Sequence, residues 1–157
     1  MLNVGNPSAT DIHDHYTVRY DKATRLGSTL KGRLERARVR DVLSWYLPAP
    51  PAAVVDVGGG PGVHAAWLQS LGYTEELLDP VQTHVKQAAE AGISSVVDDA
   101  RRLPWPDGSF DAALLAGPLY HLIEATDRRL AWPTGTARET IGWPVPTPTL
   151  STSCTPS

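Results

Sequence analysis

The segment Val54-Val55-Asp56-Val57-Gly58-Gly59-Gly60-Pro61-Gly62 constrains this chain more than any other. A short β-branched run reads as a buried strand. Four glycines follow within five residues, and a helical stretch from Val63 to Leu71 leaves the turn. Glycine is required where a backbone takes positive φ or must approach a ligand without a Cβ in the way. Strand, glycine turn and helix in that order predict the opening unit of a parallel sheet with covering helices.

The rest of the chain continues the alternation. Glu76-Leu77-Leu78-Asp79 reads as a second strand, and Val81, Val85 and Ala88 mark one face of a second helix closed by Gly92. Ser94-Ser95-Val96-Val97-Asp98 is a third strand. A loop with Pro104, Pro106 and Asp107-Gly108 precedes a fourth, Asp111-Ala112-Ala113-Leu114-Leu115. Short connections between alternating elements imply a parallel α/β sheet with helices on both faces. Upstream, residues 21–47 read as helix, with Leu26, Leu30, Leu34, Val39, Val42, Leu43 and Leu47 broadly on one face and a slip between Leu34 and Val39. Gly27 and Gly32 favour two shorter N-terminal helices over one.

Composition sets the outer bounds. The chain has 157 residues, which suits one domain. Fourteen Lys and Arg against seventeen Asp and Glu give a net charge of −3, which argues against a non-specific nucleic-acid binder. Cys154 is the single cysteine, so neither an intrachain disulfide nor a Cys-based zinc site is expected, and a reducing compartment fits. No stretch approaches the ~20 apolar residues of a membrane span, and Met1–Ser8 lacks the basic flank and apolar run of a secretory leader. A soluble cytoplasmic protein without bound metal is expected. His13, Asp14 and His15 are too close in sequence to converge on one helix face, so residues 1–20 read as a flexible, solvated arm.

The glycine spacing separates cofactor classes. A dinucleotide fingerprint needs a glycine where Val63 stands, and a Walker A loop needs a Gly-Lys-Ser/Thr that is absent. A turn that merely joins strand to helix, without a ligand, is the plain alternative. Asp79 ends the second strand, where a carboxylate can accept from ribose hydroxyls, or else cap the next helix. Asp99 lies on the loop after the third strand, where it can accept from an adenine amine, or else pair with Arg101 or Arg102.

These motifs together resemble the class I S-adenosylmethionine-dependent methyltransferase family. The resemblance rests on the glycine segment, on Leu77-Leu78-Asp79-Pro80, on the stretch from Asp99 to Asp111, and on Leu114-Leu115-Ala116-Gly117-Pro118-Leu119-Tyr120-His121-Leu122. It implies a Rossmann-like fold over residues 21–131 and S-adenosyl-L-methionine as cofactor. By position it implies Gly58, Gly59 and Gly60 under the methionine and ribose, and Asp56 orienting the glycine loop or reaching the amino group. It further implies Asp79 on the ribose hydroxyls, Asp99 on the adenine amine, Ala100 on the ring through its backbone, and Ala116 near the sulfonium. Tyr20 would cover the cofactor from the N-terminal arm. Tyr120 and His121 are the catalytic candidates, with a structural histidine the preferred reading of His121. The acceptor is expected to be a small molecule. An NAD-dependent oxidoreductase is disfavoured by Val63, and a non-catalytic S-adenosylmethionine-binding remnant is the alternative kept.

The family pattern ends early. Residues 132–157 hold five Pro, seven Thr and three Ser, and Pro144, Pro146 and Pro148 alternate as no central strand tolerates. The stretch reads as a disordered, linker-like tail, the sheet as incomplete, with four strands in the family order 3-2-1-4. A C-terminally truncated chain is expected, its tail the product of a changed reading frame after codon 131. The fourth strand would then be a bare apolar edge, and the isolated chain weakly active or inactive.

Overall fold

The computed structural model describes residues 29–115, 117, 119, 121–132 and 135–142. Helix α1 (Leu30–Tyr46) leads into β1 (Ala53–Val57), α2 (Val63–Ser70), β2 (Thr74–Asp79), α3 (Gln82–Glu90), β3 (Ser94–Val97), β4 (Phe110–Leu115), α4 (Ala125–Leu130) and β5 (Ala137–Gly142). The strands form one sheet in the order β3-β2-β1-β4-β5, every pair parallel. The expected order of the first four strands holds, and a fifth extends it.

Alternation of side chains along the strands sorts the core into two layers. On one face Val54, Ala112 and Leu114 pack against Leu43 of α1 and Leu68 of α2. Beside them Leu77 meets Ala65 of α2, Ala88 of α3 and Ile93. Val55, Val57, Leu78, Ala113 and Leu115 turn the other way, onto Ala100, Leu122 and Ala131. That second layer is closed by the loop after β3 and by the residues flanking α4, since α4 itself buries none of its own. Each fully buried Leu or Val withdraws enough apolar surface for about 1.5–3 kcal/mol, so the three central strands form the stable part of the sheet.

The helix over Leu30–Tyr46 holds Gly32 in its first turn, where its N–H is received by the Thr29 side chain at 3.0 Å. A glycine there interrupts nothing. Leu26 and Gly27 lie outside the described residues. The slip between Leu34 and Val39 is nonetheless real: five residues rotate a helix by about 140° past its starting face. Leu43 is buried and Val39 packs beside it, whereas Leu30 and Leu34 are exposed.

One expectation is corrected, that for the stretch after residue 131. Ala137–Gly142 forms β5 and pairs with β4 from Phe110↔Ala137 to Leu115↔Gly142. Strand β4 is therefore an interior strand, covered on both sides. The remaining tail residues, 143–157, and the arm, 1–20, lie outside the described residues.

Candidate functional site

Strand β1 delivers the glycine turn to the carboxyl edge of the sheet. Gly58, Gly60 and Gly62 take φ of 73°, 60° and 80°, a region that L side chains enter at a cost of about 1 kcal/mol or more. The turn is tied to β2 by two bonds. Gly58 N–H donates to the Leu78 carbonyl at 2.6 Å, and Gly60 N–H donates to Asp79 Oδ2 at 2.8 Å. Gly62 then starts α2 and sets it against α3, since a Cβ there would stand 3.3 Å from that of Ala88.

Gly59 keeps an ordinary φ, and its need for glycine is spatial. A Cβ at this position would lie 2.6 Å from Cγ of Asp56 and 2.8 Å from Cδ1 of Leu77. Asp56 and Leu77 are both fully buried. The floor of the turn is therefore the Asp56 carboxylate itself. Gly59→Ala is expected to lower stability by about 1–3 kcal/mol through overpacking, read as a lower urea midpoint with an unchanged m-value.

Asp79 is the organising side chain. It is 5% exposed, and besides Gly60 it receives the Val81 N–H on Oδ1 at 2.9 Å. His84 of α3 places Nδ1 3.1 Å from the same Oδ1. One carboxylate thus fastens the glycine turn, the end of β2 and the start of α3. The N-cap of α3 is Val81, with no side-chain cap bond, so Asp79 ties the residue before the helix to the glycine turn without capping the helix itself.

The loop after β3 carries Asp99 differently. Its Oδ1 accepts from Arg101 N–H and Nε–H, each at 2.9 Å, and Oδ2 accepts from Arg101 Nη2 at 2.5 Å. The hydrogen bonds from Arg101 hold the Asp99 carboxyl below the usual range. Arg101 also reaches Asp127 Oδ2 at 3.1 Å and so ties this loop to α4. Pairing with Arg101 is what the structure displays, and it fixes the loop on which Ala100 sits. Ala100 itself is buried in the core layer under β1 and β4.

His121 is half-buried between Leu119 and Leu122, both of which join that layer. Ala116, Tyr120 and Tyr20 lie outside the described residues. Arg40, on the basic face of α1, stacks over Trp67 at 4.9 Å, so part of that face is spent inside the protein. Among the described residues no group of three or more His, Cys, Asp or Glu could hold a metal ion. No described helix is long and apolar enough to cross a membrane.

Two buried polar groups escape a reading by sequence. His84 stands three residues after Val81 and four before Ala88, so the apolar stripe of α3 already placed it on the inner face. Glu75 is 4% exposed on β2, and neither carboxyl oxygen has a hydrogen-bond partner among the described residues. Burial, and then the Asp56 charge, push its carboxyl up to about 9.

Comparison with known proteins agrees with this geometry. Residues 55–132 match the model of a family described as a methyltransferase domain. Human methyltransferase-like protein 27 is 33% identical over 115 residues, which cover 69% of this chain and 45% of that protein. Magnesium protoporphyrin IX methyltransferase from Synechocystis PCC 6803, solved with bound SAM, superposes with a TM-score of 0.66 at 17% identity, over 82% of this chain and 71% of that one. The cyclase SpnF superposes with a TM-score of 0.71 at 16% identity, over 87% of this chain and 58% of that one. The chain spans less than half the length of the curated relatives it matches, 45% and 28%.

Proposed function

We propose that this chain, which belongs to the methyltransferase-domain family through residues 55–132, binds S-adenosyl-L-methionine at the carboxyl ends of β1 and β2 and directs its methyl group to a small-molecule acceptor. The observation that carries the proposal is the bond from Gly60 N–H to Asp79 Oδ2. It holds a glycine turn, free of Cβ atoms, against an acid at the end of the neighbouring strand. Ligands of open parallel sheets bind there, outside the strand ends.

The residues fit the cofactor. Gly58, Gly59 and Gly60 offer backbone surface to the methionine and ribose, and Asp56 supports them from below. Asp79 faces the ribose hydroxyls. The Asp99 loop, braced by Arg101, brings Ala100 to the adenine. Ala116, the residue after β4 in sequence, is assigned to the sulfonium by the family resemblance alone. When bound, S-adenosylmethionine supplies an electrophilic methyl carbon, so the hard chemistry is the cofactor's. The protein contributes alignment of acceptor and methyl, and exclusion of water. Tyr120 and His121 are the acceptor-side candidates by sequence position, with the half-buried His121 in a packing role. A cytoplasmic setting and an acceptor other than nucleic acid are consistent with one cysteine and a net charge of −3.

Isothermal titration of the chain with S-adenosylmethionine and S-adenosylhomocysteine tests the reading. One saturable site for each is the expected result, and no heat with either refutes it. A second reading is cofactor binding without turnover. Transfer of labelled methyl to a small-molecule extract separates the two.

A further inference from the structure

Single apolar side chains left in water are ordinary, whereas several aligned on one surface mark a contact. Helix α1 carries such a line. Leu30 is 77% exposed, Leu34 64% and Trp45 72%. At about 3.6 residues per turn, they share one side of the helix with Ala37 and Asp41, which are also exposed. Leu43, which packs on the sheet, lies on the opposite side. The stripe runs nearly the whole helix, whose 17 residues measure about 25 Å. Alternate steps of three and four residues are the spacing by which two helices pair.

Charge decides what the stripe fits. Arg38 borders it and is exposed, as Asp41 is. Neither has an ion pair among the described residues. On a single helix a base placed before an acid is the weaker orientation for pairing. A parallel copy of α1 would set Arg38 on Arg38 and Asp41 on Asp41. An antiparallel copy, related by a two-fold axis between residues 37 and 38, answers both features. Leu30 then meets Trp45 of the second copy, and Trp45 meets its Leu30. Ala37 beside the axis lets the helices approach to about 8 Å. Arg38 comes within about 6 Å along the axis of Asp41 of the second copy, inside the reach of a guanidinium. The two-fold repeats that pair.

We propose that the outer face of α1 is the interface of an antiparallel homodimer, seated on Leu30, Leu34, Ala37 and Trp45 and closed by two Arg38–Asp41 pairs between the copies. One helix pair of this length covers less than about 1,200 Å² in all, the range of weak, reversible interfaces. A dissociation constant on the order of 10 µM is therefore expected. The stripe faces away from the sheet, and the inference stands apart from the cofactor reading.

Sedimentation velocity of the whole chain, from about 1 to 300 µM so as to bracket that constant, tests it. The native protein is expected to pass from monomer to dimer across this range. Asp41→Arg sets like charges together and is expected to weaken the dimer about tenfold or more, and Arg38→Asp likewise. The double exchange, Arg38→Asp with Asp41→Arg, is expected to restore the native constant. Leu34→Glu is expected to stay monomeric throughout. All these positions are exposed, and circular dichroism checks that each variant keeps the native fold. A native chain monomeric at every concentration overturns the inference. So does a dimer that the single variants leave unchanged, and so does a double exchange no tighter than either single one. Hydroxyl-radical labelling of Leu30, Leu34 and Trp45 names the alternative. Protection that does not depend on concentration marks cover by the chain before α1, labelling at every concentration marks a bare face, and either result overturns the dimer.

Discussion

Asp79→Ala is expected to destabilise the protein by about 3–5 kcal/mol and to abolish measurable binding of S-adenosylhomocysteine. The carboxylate receives Gly60 N–H, Val81 N–H and His84 Nδ1 in a site only 5% exposed. Bonds to a charged acceptor are worth about 1.5–3 kcal/mol each, and the three share one acceptor, so their sum overstates the loss. Removing the acceptor also leaves three donors without it in a buried place. Asp79→Asn keeps the shape and one carbonyl oxygen, but its amide must face a donor. It is expected to lose about half as much. Urea unfolding of both variants, with the midpoint converted through a common m-value, checks the ranking. A loss below about 1 kcal/mol for the alanine variant would show that the turn is held by something else.

The second large effect is a loss of stability in base. Glu75 has a carboxyl pushed up to about 9 in the folded protein, against about 4.3 in an unfolded chain. Between those values the native state keeps a proton that the unfolded state has released. Stability is therefore fully present below the unfolded pKa and falls as pH rises toward the folded one, by about 1.4 kcal/mol per unit at the steepest. Over the whole window the loss is on the order of 5 kcal/mol, comparable with the total stability of a small domain. Tyr73, raised by burial and by Glu75, titrates above this window and does not confuse it. Glu75→Gln removes the titration, so its urea midpoint should be nearly flat from pH 5 to 9 in the part due to this residue. Equal slopes in the native and variant proteins would show that Glu75 is not the group released. Glu75→Val is expected to be more stable than the native chain at pH 9, since Val refills an apolar place without a group to desolvate.

The same residue shows where reading by sequence stopped. Strand β2 begins at Thr74, but the polar run Thr74-Glu75-Glu76 shows no apolar alternation, so the sequence pattern predicts a strand only from Glu76. Position 75 is inside because β1 pairs with it, Val54 opposite Glu75, and partner strands do not appear in local pattern. Strand β5 was hidden for a similar reason. Ala137-Arg138-Glu139-Thr140-Ile141-Gly142 is rich in polar residues and stands beside prolines. It forms because β4 offers an unfilled edge, and Gly142 lets Trp132 close over it at 3.1 Å from where a Cβ would be. Tertiary demand overrode propensity. The glycine turn and the acid of β2 were legible because each depends on local chemistry: φ at Gly58 and Gly60, and a carboxylate at a strand end. The partner of Asp99 is ambiguous in the sequence, since two arginines follow it, and the fold pairs it with Arg101.

Strand β1 is where the two halves of the chain meet, and it meets them at unequal distances. Val54 pairs with Glu75 on one side and with Ala112 on the other, separations of 21 and 58 residues by subtraction of their numbers. Closing the longer loop costs about 0.9 kcal/mol more in chain entropy. Ala53 N–H donates to Asp111 Oδ2 at 3.0 Å across a separation of 58 residues. A bond of that kind returns about 1–2 kcal/mol, enough to offset the longer search. The start of β1 is thus latched to the start of β4, at the end of the sheet opposite the glycine turn. Strand β1 is pinned at both ends, by Asp111 where it starts and by the Asp79 bond to Gly60 just beyond where it finishes.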